Sequence, residues 1–185
     1  MEIVPDTKDW TWVLHDRCPE CGLDTRQVRA EDVPRILRDV AAQWAAVLDG
    51  DEARRRPSPH VWSPLEYACH VRDVFRVFDG RLQRMLTEDN PLFPNWDQDA
   101  AAVAARYGEQ DPAVVERELR EAADTLAGRF ESVSGDAWKR TGSRSDGARF
   151  TIETFARYLI HDPVHHLHDV TGRRYNAEDL GDSSS

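Results

Sequence analysis

His161 and His165 stand four residues apart, one turn of an α-helix. Histidines at i and i+4 project from one helix face and can grip a single metal ion. His70, in another apolar and helix-like segment, offers a third imidazole. Three protein ligands with a vacant position make a catalytic metal site, because water or substrate takes the vacancy. No Glu follows His161, so the stretch is not the His-Glu-x-x-His of a zinc protease. His165 and His166 are about 100° apart around a helix of 3.6 residues per turn, so only one shares the face of His161. We assign His165 as the ligand and expect His166 to be packed or exposed. His168 is an outer ligand or a group that supports one. The plainer reading is that His-x3-His arises by accident on many helices and that buried histidines are commonly hydrogen-bonded core residues. His15 and His60 fall in loops and read as uninvolved.

Other residues carry chemistry of their own. Trp96-Asp97-Gln98-Asp99 is a compact polar and aromatic cluster. Asp97 or Asp99 could serve near the metal as a general base or a supporting partner. Asp97 is equally suited to capping a helix, with Trp96 as a core anchor. Cys18 and Cys21 have the spacing of half a zinc knuckle. A structural zinc site needs four ligands and no second cysteine pair follows, although His15 or a second copy of the chain could add to them. Free thiols and a redox pair are the alternatives. Cys69 reads as core, Glu66 as a capping residue, Arg72 and Arg81 as solvated or ion-paired, and Tyr158 as a pocket wall or packed core.

Long helices must position these groups. Val33, Ile36, Leu37, Val40, Trp44, Val47 and Leu48 recur at helical spacing and predict a first helix over about 31–48. Ser63, Pro64 and Glu66 predict a capped start for a second, which carries His70 in its second turn and runs to about Glu88. Residues 90–94 read as a loop and 97–107 as a short helix. Asp111-Pro112 opens a third long helix that runs to about Val133. Residues 134–149, rich in Gly, Ser and charge, read as a loop, with a short hairpin as the less favoured alternative. Thr151 caps a fourth, ending near Gly172, with Pro163 inside it, where a kink is usual. This helix is apolar over most of its circumference and should be buried, its histidine side facing a cavity. Four such helices with few β-like runs indicate an all-α four-helix bundle. Residues 1–30 form an irregular N-terminal arm that packs its tryptophans on the bundle, 31–172 the bundle, and 173–185 a C-terminal tail, disordered from Leu180.

The 185 residues suit one domain with a real core. A formal net charge of −10 argues against nucleic-acid binding, which depends on Lys and Arg neutralising phosphates. No apolar run approaches the roughly 20 residues of a membrane span. The N-terminus lacks the basic and apolar regions of a signal peptide, so a cytoplasmic location is expected. Three cysteines do not make a disulfide framework.

Taken in order, several segments resemble the DinB/YfiT-like superfamily of four-helix-bundle metalloproteins. These are Trp62-Ser63-Pro64-Leu65-Glu66 with His70, Asp136-Ala137-Trp138-Lys139-Arg140, Asp146-Gly147-Ala148-Arg149-Phe150-Thr151, and His161-x3-His165, together spanning 31–172. The resemblance implies an up-down-down-up bundle and one divalent metal, zinc or nickel, held by His70, His161 and His165. Relatives with assigned activity include bacillithiol S-transferases and the mycothiol-dependent maleylpyruvate isomerase. By that likeness the chain is expected to be a thiol-dependent S-transferase or related hydrolase acting on a small molecule, with a low-molecular-weight thiol as cofactor. The alternative is a non-catalytic metal sensor, store or interaction module. A homodimer is a plausible assembly. Two features depart from the family: His166-Leu167-His168-Asp169 replaces a basic, Gly-Gln-like run, and the Cys18–Cys21 arm lies outside the family core.

Overall fold

A computed structural model of the chain describes residue 3, residues 9–176 and residue 179. The expectation for the tail from Leu180 therefore lies outside the described residues. Four long helices form the body: α1 (Val33–Leu48), α2 (Pro64–Thr87), α4 (Pro112–Glu131) and α5 (Ile152–Thr171), with a short α3 (Gln98–Ala104) between the middle two. Their starts are set locally. The Ser63 hydroxyl accepts from the Glu66 amide while the Glu66 carboxylate accepts from the Ser63 amide, a complete capping box with Pro64 in the first turn. The Asp111 carboxylate caps α4 through the Ala113 and Val114 amides, and Thr151 caps α5. Gly172 ends α5 in the left-handed region at φ +70°. α5 continues through Pro163 without a break.

Side-chain pairs reveal the topology. Arg72 meets Glu118 near the starts of α2 and α4, and Arg129 meets Asp79 nearer their ends, so these helices run parallel. Arg38, early in α1, reaches Glu131 at the end of α4, so α1 runs against α4. Phe78, late in α2, stacks on Phe155, early in α5, so α5 runs against α2. The order is up-down-down-up, with α1 and α5 opposed to α2 and α4. The stripes read from the sequence meet in the middle, where Trp44, Phe75, Leu82, Leu119, Phe130 and Phe155 are fully buried.

Two segments expected to be loops contain strands. β1 (Leu92–Phe93) pairs parallel with β2 (Thr141–Arg144), which pairs antiparallel with β3 (Arg149–Thr151) in the register Gly142↔Phe150. The sheet closes the end of the bundle where α2 and α4 finish and α5 begins. Gly142 lies against α2 so closely that a Cβ there would come within 2.8 Å of Met85 Cγ. The Arg140 guanidinium ties the sheet to α2 by donating to the Met85 and Glu88 carbonyl oxygens, each at 2.6 Å.

The arm is shaped by 3-10 turns at Trp10–Leu14 and Thr25–Gln27 and packs chiefly on α5. Its own residues Val13, Cys18, Cys21, Leu23 and Thr25 are buried. The Thr25 hydroxyl donates to the Val13 carbonyl oxygen, and the Arg157 guanidinium of α5 donates to the Val28 carbonyl oxygen at 3.0 Å. No helix among the described residues is long and apolar enough to cross a membrane.

Candidate metal centre

Antiparallel packing of α2 on α5 brings the second turn of α2 to the middle of α5. There His70, fully buried, meets Asp162 and His166, and one donor atom from each lies within 4.8 Å of the others. His70 Nε2 is 3.3 Å from Asp162 Oδ2, His166 Nε2 is 3.7 Å from the same oxygen, and the two imidazole centroids are 4.9 Å apart. His166 Nδ1 faces Asp169 Oδ2 at 2.9 Å, a contact that fixes the ring and its tautomer. Asp162 Oδ1 and His70 Nδ1 are buried and have no hydrogen-bond partner among the described residues. Folded proteins rarely leave buried polar atoms in this condition, and a bound cation beside the carboxylate would relieve it. Two imidazoles and a carboxylate are a donor set that suits a divalent transition metal. Burial pushes the Asp162 carboxyl up. The neighbouring His70 and His166, with the hydrogen bond to His70, outweigh that and hold it down at about 2, in the ionised form that ligates.

The sequence-derived set of His70, His161 and His165 is regrouped. His161 and His165 share the face expected from their spacing, with ring centroids 4.9 Å apart, but that face turns toward the arm. They lie with Cys18 and Cys21 instead of with His70. Trp10 covers both, its ring 5.2 Å from each. Burial, with His165 alongside, pushes the His161 imidazole down to about 3, and burial also lowers His165, so both are neutral near pH 7. His166, expected to be packed or exposed, joins His70. His168 joins neither group: its Nδ1 is 3.0 Å from the Arg173 carbonyl oxygen, and its ring lies 6.3 Å from that of His165. The sequence does carry a signal for Asp162 and His166, since they too are an i, i+4 pair.

A cavity of about 510 Å³ opens on the centre and is lined by His70, Asp162 and His166 with Asp97, Asp99 and Tyr158, and His161 and His165 border it as well. Asp97 does cap a helix, its Oδ1 accepting from the Ala100 amide at 2.9 Å, and it borders the cavity as well. Trp96 is half-buried, packs against the core as expected, and also stacks on His70 at 5.5 Å as a wall of the centre. Arg72 is buried and ion-paired with Asp73 and Glu118. Arg81 departs from expectation: it is buried and lies over the Phe78 and Phe93 rings. It donates to the Pro94 carbonyl oxygen at 2.9 Å, and no carboxylate forms an ion pair with it among the described residues. Burial, with Arg144 nearby, lowers it to about 10, which still leaves it charged. Arg144, paired with Asp146, donates to the Tyr158 hydroxyl at 3.0 Å. Both guanidiniums line the cavity.

A bundle of this order brings ligand-type side chains from two antiparallel helices together beside a cavity, an arrangement in which helical bundles can hold a metal ion. The chain is a member of the DinB superfamily, whose sequence profile matches residues 35–170. No curated protein sequence matches it. Among solved structures, YfiT from Bacillus subtilis, described as a probable metal-dependent hydrolase with an unusual four-helix bundle topology, is similar with a TM-score of 0.63. The match covers 92% of this chain and 91% of that one at 19% sequence identity, a likeness of fold.

Proposed function

We propose that the protein is a metal-dependent enzyme acting on a small molecule, with its divalent ion, zinc or nickel, held by His70, Asp162 and His166. One observation carries this reading: three ligand-type side chains, two of them with unpartnered buried polar atoms, open onto a cavity large enough for a small substrate. A closed four-ligand set would favour storage or structure, whereas three ligands beside a cavity leave room for a reactant. A divalent ion held there would lower the pKa of a bound thiol or water and so supply a nucleophile near pH 7. The chain's own groups do the rest. Asp162 and the two imidazoles supply the ligand field, with Asp169 fixing the His166 ring. Arg81 and Arg144 would orient an anionic substrate group, and Asp97 or Asp99, which border the same cavity, would accept the proton that the nucleophile releases. Family likeness favours transfer of a low-molecular-weight thiol, with hydrolysis as the related reaction.

The test begins with metal content and activity of untagged protein beside Asp162→Ala and His70→Ala. One ion lost in both variants, together with thiol-transfer or hydrolase turnover lost in both, is the expected result. Metal content unchanged in both variants would overturn the assignment.

A further inference from the structure

Cys18 and Cys21 take no part in the centre described above. Both are fully buried and neither forms a disulfide. The chain around them folds into a tight turn in which the Gly22 amide donates to the Cys18 carbonyl oxygen at 3.0 Å and the Cys18 amide donates to the Leu23 carbonyl oxygen at 2.9 Å. Gly22 has φ +84°, and a Cβ there would come within 2.8 Å of the Tyr175 carbonyl oxygen, so the turn requires glycine for both torsion and space. The segment after α5 holds the turn from outside, with the Tyr175 amide donating to the Cys21 carbonyl oxygen at 2.7 Å. Docked on α5, the turn delivers both thiols to His161 and His165, and one donor atom from each of the four residues lies within 4.8 Å of the others.

Two further observations point to a ligand. His161 is 4% exposed, and its Nε2 has no hydrogen-bond partner among the described residues. His165 presents Nδ1 to the Cys18 sulfur at 3.6 Å, while its Nε2 faces carboxylate oxygens of Glu20 at 3.3 Å and Asp169 at 3.7 Å. A carboxylate on the far nitrogen is a common way of orienting a metal-ligating imidazole.

We propose that Cys18, Cys21, His161 and His165 form a second metal site, a closed tetrahedral zinc site that pins the N-terminal arm to α5. On loading, each thiol releases its proton to solvent as a zinc–sulfur bond forms, and no electron is transferred. Two thiolates and two neutral imidazoles around Zn²⁺ make a complex of zero net charge, which suits four residues that are each no more than 6% exposed. Thiolate with imidazole in a fourfold set favours zinc over the hard, oxygen-seeking cations, and four protein ligands leave no position for substrate. This zinc is structural, with an indirect role in catalysis. It fixes Trp10, which with Asp9 lines the cavity beside the His70 centre.

The proposal stands on residues separate from that centre, so the two assignments fail separately. Untagged protein from zinc-replete cells is measured by elemental analysis and native mass spectrometry. Cys18→Ser/Cys21→Ser should lose one zinc and keep the ion of the His70 centre. His70→Ala/His166→Ala should keep one zinc, and X-ray absorption on this variant should show two sulfurs at about 2.3 Å and two nitrogens at about 2.0–2.1 Å. The second variant leaves the thiols intact, so it decides the question even where the cysteine variant does not fold. Failure of the His70 centre alone would appear as a single zinc in the native protein, lost with the cysteines and indifferent to His70→Ala/His166→Ala. Absence of zinc from that second variant, or zinc without sulfur ligands, would overturn the proposal.

Discussion

His165 and His166 are neighbours in the chain, yet their rings serve different surroundings. His165 faces the thiol of Cys18 under the arm, and His166 faces His70 and Asp162 beside the cavity. The two single variants should therefore behave differently. His166→Ala is expected to lose the ion of the cavity centre with turnover, while His165→Ala loses the zinc of the arm and keeps the cavity ion. Elemental analysis of the two proteins checks this, and loss of the same ion from both would refute the division. The same stretch shows how much of the site is legible in the sequence. An i, i+4 pair on a buried helix points to a metal, but His161-Asp162-Pro163-Val164-His165-His166 holds two such pairs, turned about 100° from each other. Counting imidazoles favours His161 and His165. Only the packing of α2 shows that the face carrying Asp162 and His166 is the one that meets His70. Cys18 and Cys21 are legible as half a zinc site, whereas their histidine partners lie more than 100 residues away and emerge only when the arm docks.

Elements follow the same logic. Starts of α2, α4 and α5 are legible because a cap is a local device: a side chain a few residues away satisfies amides the helix leaves open. The capping box of α2 has a functional consequence, since His70 sits in the second turn and any fraying at Ser63 reaches it. Ser63→Ala should cost about 1 kcal/mol of stability, read as a lower urea midpoint, and should weaken metal binding at the cavity centre. An unchanged midpoint would show that the Arg56–Glu66 ion pair alone holds the start. The β2–β3 hairpin is legible only as a less favoured alternative to a loop. Its strands are four and three residues long, and within them only Gly142 and Phe150 are buried, too little for an alternating pattern. Its register rests on a tertiary contact, Gly142 against Met85. Gly142→Ala should therefore destabilise the protein by about 1–3 kcal/mol through overpacking, measurable by thermal unfolding. A neutral result would mean that Met85, a flexible side chain, swings aside.

At the scale of the molecule, one half-buried network joins three parts of the chain. Arg72 of α2 bonds to Asp73 at 2.8 Å, to Gln110 at 2.7 Å and to Glu118 of α4 at 2.9 Å, while the Tyr107 hydroxyl, from the turn between α3 and α4, donates to Asp73 at 2.6 Å. The parallel run of α2 and α4, unusual for helices packed side by side in a bundle, makes this possible by placing their opening turns together. Burial pushes the Asp73 carboxyl up, but the hydrogen bonds from Arg72 and Tyr107 and the Arg72 charge outweigh it, so its folded pKa lies below the ordinary 3.8. The folded state thus binds the proton less readily than the unfolded chain does. Its stabilising contribution is fully present above about 4 and is lost as pH falls through the lower folded value. Asp73→Asn should lower stability near pH 7 by about 2 kcal/mol, the worth of hydrogen bonds to a charged group. The deficit relative to the native protein should then shrink below about pH 4, because acid neutralises in the native protein the charge the variant already lacks. Urea unfolding of both proteins from pH 7 down to pH 3 measures the gap. A gap that stays constant over that range would show that Asp73 holds α2, α4 and the Tyr107 turn together by shape and not by charge.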